Sequence, residues 1–491
     1  MNMFELLFKV KKWNSKEAII TMKSIIKILL IIVGVLVTSL TIYFITRTGY
    51  NEDSNRKYVH ADDGRILIMH GMNILASAKD HPLRIGNITK EDVLRLSEDW
   101  GYNAVRLLIF WDGIEPEKGK FDYEYLERVR TRMDWCEEAG LNVILDMHQD
   151  LYAVRYGGDS APDWAIIHED EPFELQVPWE LNYLQPAVQR SILNFWDESR
   201  GHGELKEHFM NSTLEAIKVL GDHPSLLGID LYNEPSQATW DGMTGLEEDF
   251  LMPYYKKIIP KIREINNDIW IFYEPSALAV NQGFQSELGK LTDTREGESR
   301  LVYFPHIYTL DLDVTGNYIG NPLFVSFWAN ARQKEYKEYD VPMLIGEFGA
   351  DEKAKEYLHE VVDMCDKITG GWFFWAYDKG GWSIMDKDRN EVSKAKVLER
   401  PYPRLIAGSR PRYIFDRDAK TFSFEMDWNE EVEKKVTNKW TEIYLPNHVW
   451  LNSWKLNVIE GDIEWSYDKS SRVLKLRPLE YGTIKIVIEN K

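Results

Sequence analysis

Short runs of consecutive apolar residues recur along the chain after a polar stretch at 51–63, and segments with the period of amphipathic helices lie between them. The runs fall at 66–72, 104–110, 142–148, 226–232, 269–273, 301–308, 343–348 and 372–377. Most are apolar throughout rather than alternating, the pattern of parallel strands covered by helices. Eight such strand and helix repeats predict an α/β fold, a (β/α)8 TIM barrel with inserted loops. An open doubly wound sheet would also need a glycine-rich phosphate-binding turn, and the sequence has none. Helix ends are marked as well. Thr89 and Asp92 have the spacing of a capping box with Asp in the third place, and the helical pattern at 123–139 stops before Gly140. Two connections are long, from His148 to a helix near Glu204 and at 309–322. The first carries Trp164, Ile166, Ile167, Phe173, Trp179, Tyr183 and Trp196, too apolar for a solvated linker, so it is expected to wall a cleft at the barrel's C-terminal face.

Beyond Pro401 and Pro403 the pattern turns to short alternating strands at 421–426, 442–445, 463–467, 473–476 and 483–488, which predicts a small antiparallel β-sandwich. We place the boundary near 409–412, giving a catalytic barrel over 51–408 and a sandwich over 409–491. At the other end, residues 28–45 are apolar apart from Thr and Ser, with lysines before them and Arg47, Glu52 and Asp53 after. That run is just long enough to cross a bilayer, and its basic flank predicts an N-terminus inside and all that follows outside. A signal peptide starting at Met22 is the alternative, although no small-x-small cleavage site follows. Residues 1–50 are thus read as a cytoplasmic tail and transmembrane anchor, or as a signal segment, and either exports the remainder.

The length, 491 residues, exceeds one compact core and fits a barrel plus a smaller module. With 44% hydrophobic and 28% charged residues, no large part need be disordered. Net charge is −20, while the residues before Tyr50 hold seven basic against two acidic side chains, so the rest carries −25. Such a surface excludes nucleic acid as partner and argues against an anionic membrane surface. The two cysteines, Cys136 and Cys365, fall inside helical patterns and read as buried free thiols.

Active sites of such barrels form at the C-terminal ends of the strands, so the strand endings carry the chemistry. Strand two carries Arg106; strand three ends Asp146-Met147-His148-Gln149-Asp150; strand four ends Tyr232-Asn233-Glu234-Pro235. Strand five ends Tyr273-Glu274-Pro275, strand six His306-Ile307-Tyr308, strand seven Gly346-Glu347-Phe348, and strand eight carries Trp375. Cleaving an acetal with retention needs an acid for the leaving oxygen and an ionised carboxylate to attack the anomeric carbon, about 5 to 5.5 Å apart. Strands four and seven face each other over the barrel mouth, which nominates Glu234 as acid/base and Glu347 as nucleophile. Arg106 and Tyr308 can donate to Glu347, orient it and lower its pKa. Asn233 can bond a sugar 2-hydroxyl, His148 and His306 can bind or orient hydroxyls, and Trp375 offers a flat platform for a sugar face.

Other readings of these residues stand beside these. Glu274 competes for the acid role, Arg106 could be an interior ion-pair residue, His306 a packing histidine and Trp375 barrel core. Metal catalysis is disfavoured because Asp146, His148 and Asp150 alternate on one strand end, unlike an HExxH pair, so neither metal nor other cofactor is expected. A serine triad lacks its GxSxG elbow.

At these motifs the chain resembles glycoside hydrolase family 5, and within it the endoglycoceramidase group. The likeness rests on His70-Gly71-Met72-Asn73 with Ala76-Ser77-Ala78-Lys79, on Asn103-Ala104-Val105-Arg106-Leu107, and on Trp111-Asp112-Gly113-Ile114-Glu115-Pro116. It rests most on Leu145-Asp146-Met147-His148-Gln149-Asp150-Leu151-Tyr152, Gly157-Gly158-Asp159 and Ala161-Pro162, and extends through Arg400-Pro401-Tyr402-Pro403. The resemblance implies a retaining enzyme that cuts between glycan and ceramide in glycosphingolipids. It also implies that Lys79 and Asp150 join His148, Asn233 and Tyr308 in binding the first sugar; without it Lys79 reads as an exposed loop lysine and Asp150 as a cap. A lipid substrate agrees with apolar loops and an anchor. Alternatives that keep the site are an exo-acting β-glucosidase on glucosylceramide or steryl glucoside and a polysaccharide endoglycanase; a binding protein without catalysis is a third class.

Overall fold

The computed structural model describes residues 49–491 apart from 178, 237–244, 310, 313–317, 319, 321, 379–381 and 452. The apolar run at 28–45 lies outside the described residues. Among the described residues no helix is long and apolar enough to cross a membrane.

The chain enters through a short antiparallel pair, β1 (Val59–His60) and β2 (Ile66–Leu67), before the first barrel strand, β3 (Met69–Ile74). The run at 66–72 is therefore two strands. Ile66 and Leu67 pair backwards with His60 and Val59, and the parallel register begins only at Met69, whose partner is Gly371. The other barrel strands are β4 (Ala104–Ile109), β5 (Asn142–Met147), β6 (Leu226–Asp230), β7 (Trp270–Tyr273), β8 (Leu301–Tyr303), β9 (Ile345–Phe348) and β10 (Gly371–Phe374). Their order is β8-β7-β6-β5-β4-β3-β10-β9, all parallel, and a parallel bridge between Tyr303 and Met343 closes the ring. β8 is shorter than its apolar run because Pro305, which lacks an N–H, follows it; the Pro305 carbonyl still accepts from the Gly346 N–H at 3.1 Å.

Inside the barrel Met69, Ala104, Ile144, Phe272, Val302, Phe304, Leu344 and Phe373 pack as one cluster. Gly71 on β3 makes room there, since a Cβ would lie 2.4 Å from the Phe373 ring. The outer layer includes helices Lys90–Glu98, Tyr123–Glu138, Glu204–Leu220, Met252–Ile265, Pro322–Tyr339 and Lys355–Ile368. Two of these end as the sequence predicts. Thr89 and Asp92 form the reciprocal capping box, and Gly140 takes a left-handed φ of +68° just past the second helix. Cys136 and Cys365 are buried free thiols.

After the barrel come β11 (Tyr402–Ile406), β12 (Ser409–Asp416), β13 (Thr421–Trp428), β14 (Thr441–Tyr444), β15 (Trp454–Glu460), β16 (Ile463–Asp468), β17 (Val473–Pro478) and β18 (Gly482–Asn490). They form a six-stranded sheet, β1-β2-β11-β14-β17-β16, and a four-stranded one, β12-β13-β18-β15. Ile443 and Leu474 of one sheet share a core with Phe422, Phe424 and Ile486 of the other. Sheet pairing crosses the boundary placed at 409, because β11 joins β2 to β14. Residues 50–491 accordingly form one compact unit.

Candidate active site

Backbone ladder bonds continue past the strand ends and carry the site residues. The N–H of His148 bonds the Ile109 carbonyl, that of Asn233 the Met147 carbonyl, that of Ile307 the Glu347 carbonyl and that of Trp375 the Phe348 carbonyl. The side chains nominated on different strands therefore rest on a rigid rim. At its centre Glu234, His306 and Glu347 each offer an atom within 4.8 Å of the others. Glu234 and Glu347 thus approach each other at a separation that fits the double-displacement geometry rather than the wider spacing of inverting enzymes.

Arg106, fully buried, sits under both. Its Nη1 donates to Glu347 Oε1 at 2.7 Å and to Asn73 at 3.1 Å, and its Nη2 donates to Asn233 at 2.8 Å and Glu274 at 2.9 Å. It also pairs with Asp146 at 2.9 Å and Asp230 at 2.7 Å. One guanidinium thus serves four carboxylates. Burial pushes the carboxyls of Asp146 and Glu274 well above their ordinary range. Tyr308 donates its hydroxyl to Glu347 Oε2 at 3.1 Å, as anticipated. The expected fall in the Glu347 pKa does not follow. Burial raises it, and the pull of His306 and Arg106 only limits the rise, with Glu234 adding to it.

His306 stands between three acids, with Nδ1 at 2.9 Å from Glu234 Oε1 and 3.8 Å from Glu347, and Nε2 at 3.1 Å from Glu274. Burial favours the neutral ring, but Glu274 and Glu347 outweigh it and hold the imidazole well above its usual pKa. Glu234 adopts φ +45°, a strained conformation for a residue with a side chain, and its N–H is held by Glu274 Oε2 at 2.9 Å. Glu274 itself is only 2% exposed and lies beneath the floor rather than in the cleft.

On the far wall His148 bonds Asp146 through Nδ1 at 2.7 Å and stacks on Trp375 at 5.4 Å between centroids. Burial, with Lys79 nearby, keeps this imidazole neutral, its pKa well below the usual value. The Lys79 ammonium lies 4.4 Å over the Trp375 ring and is paired with Asp150 and, at 3.8 Å, with Asp159. Burial opposes charge on Asp150, but Lys79 and His148 hold its pKa below the usual carboxylate range; burial raises that of Asp159 to about 8. His148, Asp150 and Asp159 are close enough together to hold a cation, and the ammonium of Lys79 already supplies one.

These groups line one cleft of about 580 Å³ together with Trp179, Tyr183, Leu278, Asn281 and Trp382. Of the residues nominated from sequence, Lys79, His148, Asp150, Glu234, Tyr308, Glu347 and Trp375 line it, while Arg106, Asn233 and His306 support it from below. Three contributors were not nominated. Asn281, just past a short helix whose sequence carries no motif, donates to Glu234 Oε1 at 2.9 Å. Asp159 anchors Asp150 by accepting its N–H at 3.1 Å. Asn73, one of two polar residues in β3 with His70, accepts from Arg106 and was signalled only by that polarity.

A parallel barrel whose mouth brings two carboxylates to either side of one anomeric carbon defines a glycoside hydrolase. Residues 67–381 match the cellulase family (glycosyl hydrolase family 5), and residues 400–488 match the family 5 C-terminal domain. The chain belongs to glycosyl hydrolase family 5. It is 28% identical to endoglycoceramidase I of Rhodococcus hoagii over 82% of this chain and 80% of that one. It is 24% identical to an endoglycoceramidase of Cyanea nozakii over 73% and 77% of the two chains. Its fold matches endo-glycoceramidase II from Rhodococcus sp. in complex with ganglioside GM3, with a TM-score of 0.81, 31% identity, and coverage of 89% of this chain and 100% of that one.

Proposed function

We propose that this enzyme hydrolyses the β-glycosidic bond between glycan and ceramide in glycosphingolipids, with retention of configuration. The observation that carries the reading is the approach of Glu234 and Glu347 to within 4.8 Å. In the first step a protonated Glu234 gives its proton to the ceramide oxygen while Glu347 attacks the anomeric carbon, forming a glycosyl ester. In the second, Glu234 takes a proton from water as that water displaces Glu347. Arg106 and Tyr308 orient the nucleophile. Lys79, His148 and Asp150 bind the first sugar, with Trp375 beneath its apolar face, and Asn233 braces Arg106 from below. His306 binds Glu234 and shares its charge with Glu347.

Two features favour this substrate class. The cleft is lined both by polar groups, with Lys79, His148 and Asp150, and by apolar ones, with Trp179 and Leu278. A second hollow of about 500 Å³, of mixed lining, shares Lys79 and Asp80 with the cleft and reaches Arg84 and Arg128, room for further sugars and hence for endo action. The relatives named above are endoglycoceramidases. We further propose that 28–45 anchors the enzyme or directs its secretion, with the barrel (51–408) and sandwich (409–491) outside the cytoplasm. Incubation with a ganglioside, glucosylceramide and cellulose, resolved by product mass, tests the reading. It expects an intact oligosaccharide and free ceramide from the ganglioside; glucose from glucosylceramide alone, or shortened cellulose, would replace it.

A further inference from the structure

An acid gives its proton from one oxygen, and the surroundings of Glu234 distinguish its two. Oε1 accepts from the amide nitrogen of Asn281 at 2.9 Å and lies 2.9 Å from His306 Nδ1. Among the described residues none donates to Oε2. A protonated carboxyl has one hydroxyl oxygen and one carbonyl oxygen, and a donor aimed at either keeps the proton off it. The imidazole alone does not decide which is which. In a neutral ring Nδ1 can also accept, and Oε1 would then hold the proton and give it to the ring. An amide nitrogen can only donate. Asn281 therefore makes Oε1 the carbonyl oxygen and leaves the proton to Oε2.

The amide is held by a segment that starts beside the residue it serves. The Ala277 N–H bonds the Pro235 carbonyl at 3.0 Å, so the short helix Ala277–Val280 hangs from the residue after Glu234. Before it the Ser276 N–H bonds Glu247 at 2.7 Å, and after it the Asn281 N–H closes on the Ala277 carbonyl at 3.0 Å. Arg332 fixes the Val280 carbonyl at 2.8 Å. Asn281 is buried, and its own carbonyl accepts the Tyr308 N–H at 3.4 Å. Tyr308 in turn bonds Glu347, so one residue touches the acid with its side chain and the support of the nucleophile with its backbone. Glu234 needs such a brace because its left-handed φ takes it out of regular strand geometry.

We propose that Asn281 is a positioning residue for the acid: with His306 it fixes the transferable proton on Oε2 of Glu234. The proposal rests on the reading of Glu234 as acid/base. In the first step the proton leaves Oε2 for the aglycone oxygen as the bond from the anomeric carbon to that oxygen breaks. The electron pair of that bond stays with the oxygen, and Glu347 forms the ester. Without the amide the proton divides between the two oxygens, and on Oε1 it points at His306 instead of the substrate. Asn281 then matters for leaving groups that need a proton, such as a lipid alcohol, and little for stable phenolates.

The test measures kcat/KM of the full chain on aryl β-glycosides of graded phenol acidity and on a glycolipid, for the parent and for Asn281→Leu. This ratio ends at the first irreversible step, where the acid acts. Leucine removes the donor and fills its space against water. On the most acidic phenol the variant should stay within about threefold of the parent, whereas on the least acidic phenol and on glycolipid it should lose about 10- to 100-fold. The dependence on leaving group thus steepens. An equal loss on every substrate would mark a merely structural role and overturn the proposal, and so would an undiminished rate on the poor leaving groups. Should leucine prevent folding, Asn281→Ala, which asks less of the packing, decides by the same criterion. A parent that splits aryl glycosides but leaves glycolipid intact strikes the ceramide reading alone, and the aryl series still decides Asn281. A parent inert on every glycoside overturns both.

Discussion

Burial works against the role proposed for Glu347: as a nucleophile it must be ionised to attack, and desolvation raises its pKa while His306 and Arg106 oppose the rise. The low-pH limb of kcat/KM should therefore lie above the ordinary carboxylate range, since activity is lost as the falling pH protonates this group. Replacing His306 by Gln removes one of the two cations, so the Glu347 pKa should rise further and the limb move to higher pH; a limb that stays put would mean that His306 carries no charge in the free enzyme. Glu347→Gln should cost about four orders of magnitude in kcat while the fold survives, read by circular dichroism. Glu234→Ala should cost about 10² to 10⁴ on glycolipid but much less on aryl glycosides whose leaving groups need no proton. Equal losses on both would remove Glu234 from the acid role.

At the scale of elements, the meeting of Glu234 and Glu347 at the barrel mouth was legible in sequence because a parallel barrel reduces the search to strand ends, and most strands announced themselves by an apolar run. What was not legible came from tertiary contact. Asn281 reaches Glu234 from just past a four-residue helix, and Ile66 and Leu67 look like barrel residues until their partners in β1 and β11 are known. The net rise in the Glu347 pKa was not legible because donors such as Arg106, which do lower it, can be read from sequence whereas burial cannot. The loop that follows β5 offers a sharper case. Asp150 and Asp159 pair in a bridge, the Asp159 N–H bonding the Asp150 carbonyl at 2.9 Å. Of the two glycines between them, Gly158 is packed so closely that a Cβ on it would lie 1.7 Å from the Asp150 carbonyl oxygen. Gly158→Ala should force the bridge apart, destabilise the protein by about 1–3 kcal/mol and lower kcat/KM by about 10²-fold through misplaced Asp150 and Lys79. A normal KM and melting temperature would show that the loop adapts without moving them.

For the whole molecule, the terminal sheets act as part of the barrel's foundation. Tyr402 stacks on His70 at 3.7 Å, and His70 stacks in turn on Trp372 of β10 at 4.4 Å. The Tyr402 hydroxyl donates to the Gly101 carbonyl at 2.8 Å, where a Cβ on Gly101 would sit 2.2 Å from the Tyr444 ring. Arg400 pairs with Asp366 at 2.6 Å, and Arg472 reaches the Asp99 carbonyl at 3.0 Å. Tyr58, Ile66 and Ile68 from the start of the fold lie in the same core as Tyr402, Ile443 and Leu474. Cutting the chain after Glu399 would strip β11 and β14 from β2, expose those apolar side chains and leave the buried Asp366 without Arg400. Such a fragment should be insoluble or inactive, although it keeps every residue of the active cleft. In the full chain, urea unfolding followed by activity and by tryptophan fluorescence should give one coincident transition; two separated transitions, or an active barrel fragment, would show the sandwich to be an independent passenger.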